Sequence, residues 1–185
     1  YGDTTEMRRF RQLLVNSVIA TDILDRDLKV HRDKGWKKAF RKSATMDATA
    51  SEEMRDLKAT LVIEHLVQAA EAAHTMQSFR TYLKWSEKLF GEMYQAHHAG
   101  RADKDPAESW YAGELAFFDK FVIPLATRLR DCGIFGGART GEEYLRMAIE
   151  NRRLWASNGQ NILRDMVEGF SRKIVASQED TIMFS

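Results

Sequence analysis

Residues 110–125 read Trp-Tyr-Ala-Gly-Glu-Leu-Ala-Phe-Phe-Asp-Lys-Phe-Val-Ile-Pro-Leu. Apolar side chains recur here three and four positions apart, which predicts a helix. Glu114 lies one helical turn before the paired rings of Phe117 and Phe118. Pro124 lacks an amide donor, so it predicts a bend near the end of this helix. Of the two rings, Phe118 is predicted to belong to the core.

The same spacing recurs along the rest of the chain, without sustained alternation, and it predicts an all-α, compact multi-helix bundle. No internal repeat or second domain is visible, so residues 1–185 are expected to form a single all-helical domain. Residues 32–48 are expected to be a connector that carries a short helix around 36–40. The six predicted helices cover about residues 4–31, 49–73, 77–99, 105–130, 140–157 and 158–176.

Composition excludes several classes of function. The chain has 28 basic and 27 acidic side chains, so its net charge of +1 gives no long-range attraction for a nucleic acid polymer. The single cysteine, Cys132, allows no intrachain disulfide, which favours a reducing, cytoplasmic location. No apolar run approaches the roughly 20 residues of a transmembrane helix, although a longer parent protein could carry its own membrane anchor.

Residues 110–125 resemble the helix that clamps the purine ring in class I cyclic-nucleotide phosphodiesterases. That family normally has Ser-Gln-x-Gly-Phe-Ile-Asp there, followed by Pro-Leu a few residues later. The resemblance implies that Glu114 takes the place of the purine-selective glutamine and that Phe117 stacks on the base. An ionised glutamate only accepts hydrogen bonds, whereas a glutamine amide also donates, so the preference between cAMP and cGMP stays open. The resemblance also implies that Asp119 supports neighbouring helices through hydrogen bonds.

A second segment, Gln-Ala-Ala-Glu-Ala-Ala-His at residues 68–74, resembles the family segment His-Cys-Ala-Asp-Leu-Ser-Asn. The family aspartate binds metal, which implies a metal-ligand position at Glu71. His74 takes the place of an asparagine close to the base. Tyr82 and Trp85 stand where the family has its own tyrosine and tryptophan.

Two further segments extend the resemblance over about residues 6–160. Residues 16–24, Asn-Ser-Val-Ile-Ala-Thr-Asp-Ile-Leu, resemble the family helix Val-Leu-Ala-Thr-Asp-Met, and they imply that Ile23 lines the nucleotide pocket. The pattern Asn151-Arg152-x-x-Trp155 resembles a structural feature near the end of the family domain.

The resemblance implies a cyclic nucleotide as substrate and two divalent metal ions as cofactors, Zn²⁺ with Mg²⁺ or Mn²⁺. In that family the general-acid histidine and the other metal ligands, two histidines and an aspartate, lie N-terminal to all these segments. None of the five histidines here is followed by aspartate. The chain is therefore expected to be the C-terminal part of the catalytic domain, lacking the N-terminal metal-binding helices and inactive alone. Such a fragment would expose apolar faces at residues 13–28 and 57–66, which leaves a homo-oligomer open.

Three alternatives remain at this stage. A degenerate phosphodiesterase-like module could bind nucleotide or a partner without turnover, because glutamate replaces the family residue at positions 71 and 114. Glu71-x-x-His74 is also typical of di-iron bundles, but those need a second such element, which the sequence lacks. The third alternative is an unrelated helical scaffold.

Overall fold

The computed structural model describes residues 4–23, 25–40, 51–133, 135 and 138–183. Every regular element in these ranges is helical, and they contain no strand, which confirms the all-α prediction. Short 3₁₀ helices cover Ala73–Met76 and Pro106–Glu108, and a π-helical segment covers Phe118–Val122. The α-helices are α1 (Thr5–Ala20), α2 (Arg26–Ala39), α3 (Glu52–Glu71), α4 (Phe79–His98), α5 (Trp110–Phe117), α6 (Ile123–Asp131) and α7 (Ala138–Met183).

The helix predicted over residues 4–31 is two helices, with a turn between Ala20 and Arg26. Aspartate side chains end the first helix and start the second because they bind backbone amides that a continuous helix would use. Asp22 accepts from the amide of Asp25 at 3.1 Å. Asp25 in turn accepts from the amides of Asp27 at 2.8 Å and Leu28 at 3.0 Å, in the first turn of the second helix. Helix α2 then extends into the predicted connector as far as Ala39, and residues 41–48 of that connector lie outside the described residues.

Two other boundaries also differ from expectation. The second predicted helix was expected to begin at about residue 49, which lies outside the described residues. Helix α3 begins at Glu52 and is capped by Ser51, whose side chain accepts from the amide of Met54 at 3.3 Å. The break predicted between residues 157 and 158 does not exist, since α7 runs through it. Ser157 and Asn158 instead donate to the carbonyls four residues earlier, which keeps both side chains compatible with a helix.

The chain divides into two compact units. The first comprises Tyr1–Ala73 and Pro124–Leu145, and the second comprises His74–Ile123 and Arg146–Ser185. The expectation of a single domain stays a prediction. No helix among the described residues is both long enough and apolar enough to cross a membrane.

In the first unit, α3 packs against α1 and α2 and buries Leu61 and Val62. In the stretch at 57–66, Leu57 and Leu66 are half-buried, whereas Ile63 is 36% exposed. By contrast, the outer face of α1 is exposed, including Leu14 at 55% and Val18 at 64%.

Half-buried polar side chains surround the buried His65 on α3. Arg128 only donates, so the Nε2 atom of His65 accepts from it at 3.2 Å and the proton resides on Nδ1, which donates to the carbonyl of Leu61 at 2.7 Å. Arg128 also pairs with Asp33, and the Trp36 ring packs against His65 with centroids 4.4 Å apart. Burial lowers the pKa of His65 to about 4, with the positive charge of Arg128 contributing in the same direction.

This neutral histidine predicts a pH-dependent stability. The folded state resists protonation while the unfolded state accepts a proton near pH 6.5, so stability is complete above that pH and falls as the pH approaches 4. We expect the neutral His65 to lower the free energy of unfolding by about 2–3 kcal/mol at pH 4.5 relative to pH 7. Urea unfolding of the wild type and of His65→Asn at both pH values measures this. The variant should lose less stability on acidification, and equal losses in the two proteins would contradict the prediction.

Aromatic rings form the core of the second unit. Tyr82, Phe90, Phe118 and Trp155 are each 1% exposed or less. The Tyr82 ring meets Phe118 edge-on at 5.2 Å and Trp155 edge-on at 5.9 Å. These contacts connect α4, the π-helical segment and α7, so they fix the position of Tyr82.

Candidate functional site

The predicted site residues belong to different units. Ile23 and Glu71 lie in the first unit, and His74, Glu114 and Phe117 lie in the second. The two groups are therefore described separately.

The central contact of the second unit joins α4 to α5. The Tyr82 hydroxyl donates to Oε2 of Glu114 at 2.5 Å, between residues 32 positions apart in the sequence. Tyr82 is buried and Glu114 is half-buried. The carboxylate therefore has one oxygen held by a fixed donor, and the described residues give no hydrogen bond to the other oxygen.

Burial changes the acid–base properties of both groups. It raises the pKa of the Glu114 carboxyl, and the hydrogen bond from Tyr82 opposes part of that rise. Burial, followed by the negative charge of Glu114, raises the pKa of Tyr82 far above its usual range. Tyr82 therefore remains a donor at every physiological pH, while the protonation of Glu114 depends on solvent exclusion.

The two phenylalanines after Glu114 have different environments. Phe118 is completely buried against Tyr82, which confirms its assignment to the core. Phe117 is half-buried and stacks on Phe121, with ring centroids 5.3 Å apart and planes 17° apart. The bend near Pro124 stays a prediction, and a π-helical segment, Phe118–Val122, ends two residues before this proline. Proline gives no hydrogen bond to the preceding turn, and π-helical turns are frequent at functional sites.

His74 lies in the 3₁₀ helix that follows α3, and it is half-buried. Its ring centroid is 6.1 Å from that of Trp85, a side chain that is 52% exposed. Asn151 on α7 holds the backbone beside His74, because its Nδ2 donates to the carbonyls of Thr75 at 2.9 Å and Gln77 at 2.8 Å. The sequence motif marked Asn151 as structural but did not reveal that it supports the segment that carries His74.

The neighbouring motif residues also connect helices. Arg152 binds Asp119 through two hydrogen bonds of 2.9 Å, so α7 is tied to the π-helical segment, as expected for Asp119. These bonds lower the pKa of the Asp119 carboxyl. Trp155 donates through Nε1 to the carbonyl of Tyr111 on α5 at 3.1 Å. The pattern Asn151-Arg152-x-x-Trp155 therefore supports elements that carry His74 and Glu114.

In the first unit, Glu71 is the last residue of α3 and is exposed, and Ile23 is half-buried in the turn between α1 and α2. The described residues contain no group of three or more His, Cys, Asp or Glu side chains that could hold a metal ion. One exposed carboxylate does not form a metal site, so the described part of the chain cannot by itself hold the metal pair that the sequence resemblance implies. It does not assemble a di-iron centre either.

Comparisons with known proteins give one match. Residues 3–133 match the family model described as 3'5'-cyclic nucleotide phosphodiesterase. The matched region includes all five predicted site residues and ends before α7. No curated protein and no solved structure matches the chain significantly.

Proposed function

Because the chain belongs to the 3'5'-cyclic nucleotide phosphodiesterase family, we propose that it forms the C-terminal part of a domain that hydrolyses cAMP, cGMP or both to the 5′-monophosphate. Its contribution is the purine pocket and one metal-ligand position. The observation that carries this proposal is the hydrogen bond from buried Tyr82 to Glu114, which holds a polar group of defined orientation on the helix that carries Phe117.

Each residue of the pocket has a separate role. The oxygen of Glu114 that Tyr82 does not bind accepts from a base N–H group. The Phe117 ring packs against the flat face of the purine. Ile23 supplies an apolar wall, and His74 supplies a polar group near the base. Every base has an apolar face, so the Phe117 ring contributes affinity for any of them. The donors and acceptors on the edge differ between bases, so Glu114 contributes selectivity.

Two divalent cations, Zn²⁺ with Mg²⁺ or Mn²⁺, are the cofactors proposed for the complete domain. Glu71 is one ligand position, and the other ligands and the general-acid histidine belong to residues upstream of this chain. The 185-residue chain alone is therefore proposed to be inactive. The single, buried Cys132 favours a cytoplasmic location.

The second candidate is a nucleotide-binding module without turnover. Glutamates at positions 71 and 114 favour it, because each differs from the family residue in reach or in hydrogen-bonding capacity. Nucleotide binding without hydrolysis by the complete domain would distinguish this candidate from the enzyme.

The test is hydrolysis of cAMP and cGMP, with Mn²⁺ or Mg²⁺, by the chain extended upstream by about 150 residues, a typical domain length. We expect activity in the extended protein, and a fall of about tenfold or more in Glu71→Ala, since loss of groups that support a metal costs at least that much. Glu71→Asp restores the family residue and serves as the matched control, which should retain activity.

Two results would count against the proposal. A folded extended protein that binds nucleotide without hydrolysing it would favour the non-catalytic module. Hydrolysis by the 185-residue chain alone would contradict the assignment of the catalytic acid and the other metal ligands to upstream residues.

A further inference from the structure

The turn that carries Ile23 is held by side chains from two other helices of the first unit. The carbonyl of Ala20, at the end of α1, accepts from Nη1 of Arg32 on α2 at 3.2 Å and from Nε2 of Gln68 on α3 at 3.2 Å. The carbonyl of Asp22 accepts from Nη2 of Arg32 at 2.9 Å. One guanidinium therefore binds the carbonyls of Ala20 and Asp22, which lie three residues and one residue before Ile23.

Both donors are buried, since Arg32 is 8% exposed and Gln68 is 5% exposed. The last carbonyls of a helix lack partners within the helix and lie at its negative end, where a cation is favoured. The planar guanidinium presents its N–H groups in a fixed geometry, so it fixes two acceptors at once. The half-buried Glu64 carboxyl lies near enough for the charge of Arg32 to oppose the rise in its pKa that burial causes. These contacts determine the path of the backbone that leads into Ile23.

Gln68 also connects this turn to Glu71. The two residues are three positions apart on α3, so their side chains lie on neighbouring parts of one helix face. Arg32 and Gln68 meet at the same carbonyl, that of Ala20. The placement of Ile23 is therefore linked to the segment that ends in Glu71.

We propose that Arg32, assisted by Gln68, is a positioning residue that sets the place of the Ile23 side chain in the nucleotide pocket. This inference rests on the proposed function, because the role of Ile23 does. Ile23 contacts the base and not the reacting phosphate, so displacing it weakens the binding of substrate and transition state equally. The loss appears in KM and leaves kcat unchanged.

The experiment is a double-mutant cycle in the complete domain, with KM and kcat measured for cAMP and cGMP. Arg32→Met keeps much of the side-chain volume and removes both donors. We expect it to raise KM about tenfold and to change kcat by about twofold or less. In the Ile23→Ala background the same change should raise KM by no more than about twofold, because Arg32 acts through Ile23. Arg32→Lys should recover part of the loss, and Arg55→Met, an exposed position on α3, serves as the control.

Folding is checked by far-ultraviolet circular dichroism, and Gln68→Met, which removes one of the three hydrogen bonds, replaces Arg32→Met if that variant does not fold. An unchanged KM in Arg32→Met, or in Gln68→Met where it is the variant used, would overturn the inference. The inference would also be overturned if Arg32→Met raised KM by the same factor in the wild-type and Ile23→Ala backgrounds, because that result indicates general destabilisation. Failure of the proposed function is distinguishable, since Ile23→Ala alone would then leave KM unchanged or the wild-type domain would not hydrolyse the substrates.

Discussion

Replacing Trp155 with alanine is expected to lower the free energy of unfolding by about 3–5 kcal/mol, the range for removing a buried large aromatic side chain. Trp155 is completely buried in the second unit. Its ring meets Tyr82 edge-on and lies 6.4 Å from Tyr111 in a stacked arrangement. A Cβ at position 159 would lie 2.8 Å from the Trp155 ring, so the glycine there provides space for it. Alanine at position 155 would leave a cavity and leave the Tyr111 carbonyl without its donor.

Urea unfolding followed by circular dichroism measures this effect, as a lower midpoint at constant m value. The matched control is Trp85→Ala in the same unit, which removes the same side chain from a position that is 52% exposed. We expect the control to lose about 1 kcal/mol or less. Trp155→Phe, which keeps a ring but loses the N–H donor, should fall between the two. Similar losses at positions 85 and 155 would contradict this description of the core.

Local signals in the sequence account for several helix ends. Asp105 before Pro106 begins a helical turn, where its side chain accepts from the amide of Ala107 at 2.8 Å. Gly100 adopts a φ of +68°, a conformation that suits glycine, two residues after α4 ends at His98. These features depend on side chains and backbone amides only a few residues apart, so a single sequence contains them.

The wrongly predicted helix boundaries lie at polar side chains that can either end a helix or be accommodated within one. Asp22 and Asp25 bind backbone amides and break the chain into two helices, whereas Ser157 and Asn158 bind the preceding turn and allow the helix to continue. Composition alone does not distinguish these outcomes, because such polar side chains can compete with helical hydrogen bonds or tolerate them.

For the candidate site, the sequence indicated individual residues but not the contacts that hold them in place. Ile23, Glu71, His74, Glu114 and Phe117 all lie within the region that matches the family, and their roles stay predictions. The supports of these residues were not predictable, because each joins residues distant in the sequence. The Tyr82–Glu114 pair spans 32 positions, and Asn151 reaches Thr75 across 76. Such contacts depend on how helices pack, which short motifs do not specify.

Replacing Glu114 with leucine in the complete domain is expected to lower kcat/KM for cyclic nucleotides by on the order of 100-fold. Leucine removes the proposed acceptor for the base and leaves the buried Tyr82 hydroxyl without the acceptor it now uses. Hydrolysis rates measured at low substrate concentration for cAMP and cGMP test this. Glu114→Gln is the matched variant, since its amide oxygen still accepts from Tyr82 and its amide nitrogen can donate to the base. A fall of about twofold or less in Glu114→Leu would contradict the assigned role.

The pH dependence of KM separates hydrogen bonding from packing at this site. Burial raises the pKa of Glu114, and Tyr82 lowers it by donating to the ionised form. In the proposed role Glu114 accepts from the base as a carboxylate. As the pH falls through the pKa of Glu114, that charge is lost, so KM should rise. Tyr82→Phe removes the stabilising donor and should therefore move this rise to higher pH, whereas Glu114→Gln should abolish it. The proposed contact of Phe117 with the purine is unaffected by these substitutions. A pH profile that is the same in the wild type and both variants would therefore indicate that affinity comes from stacking and that Glu114 does not read the base.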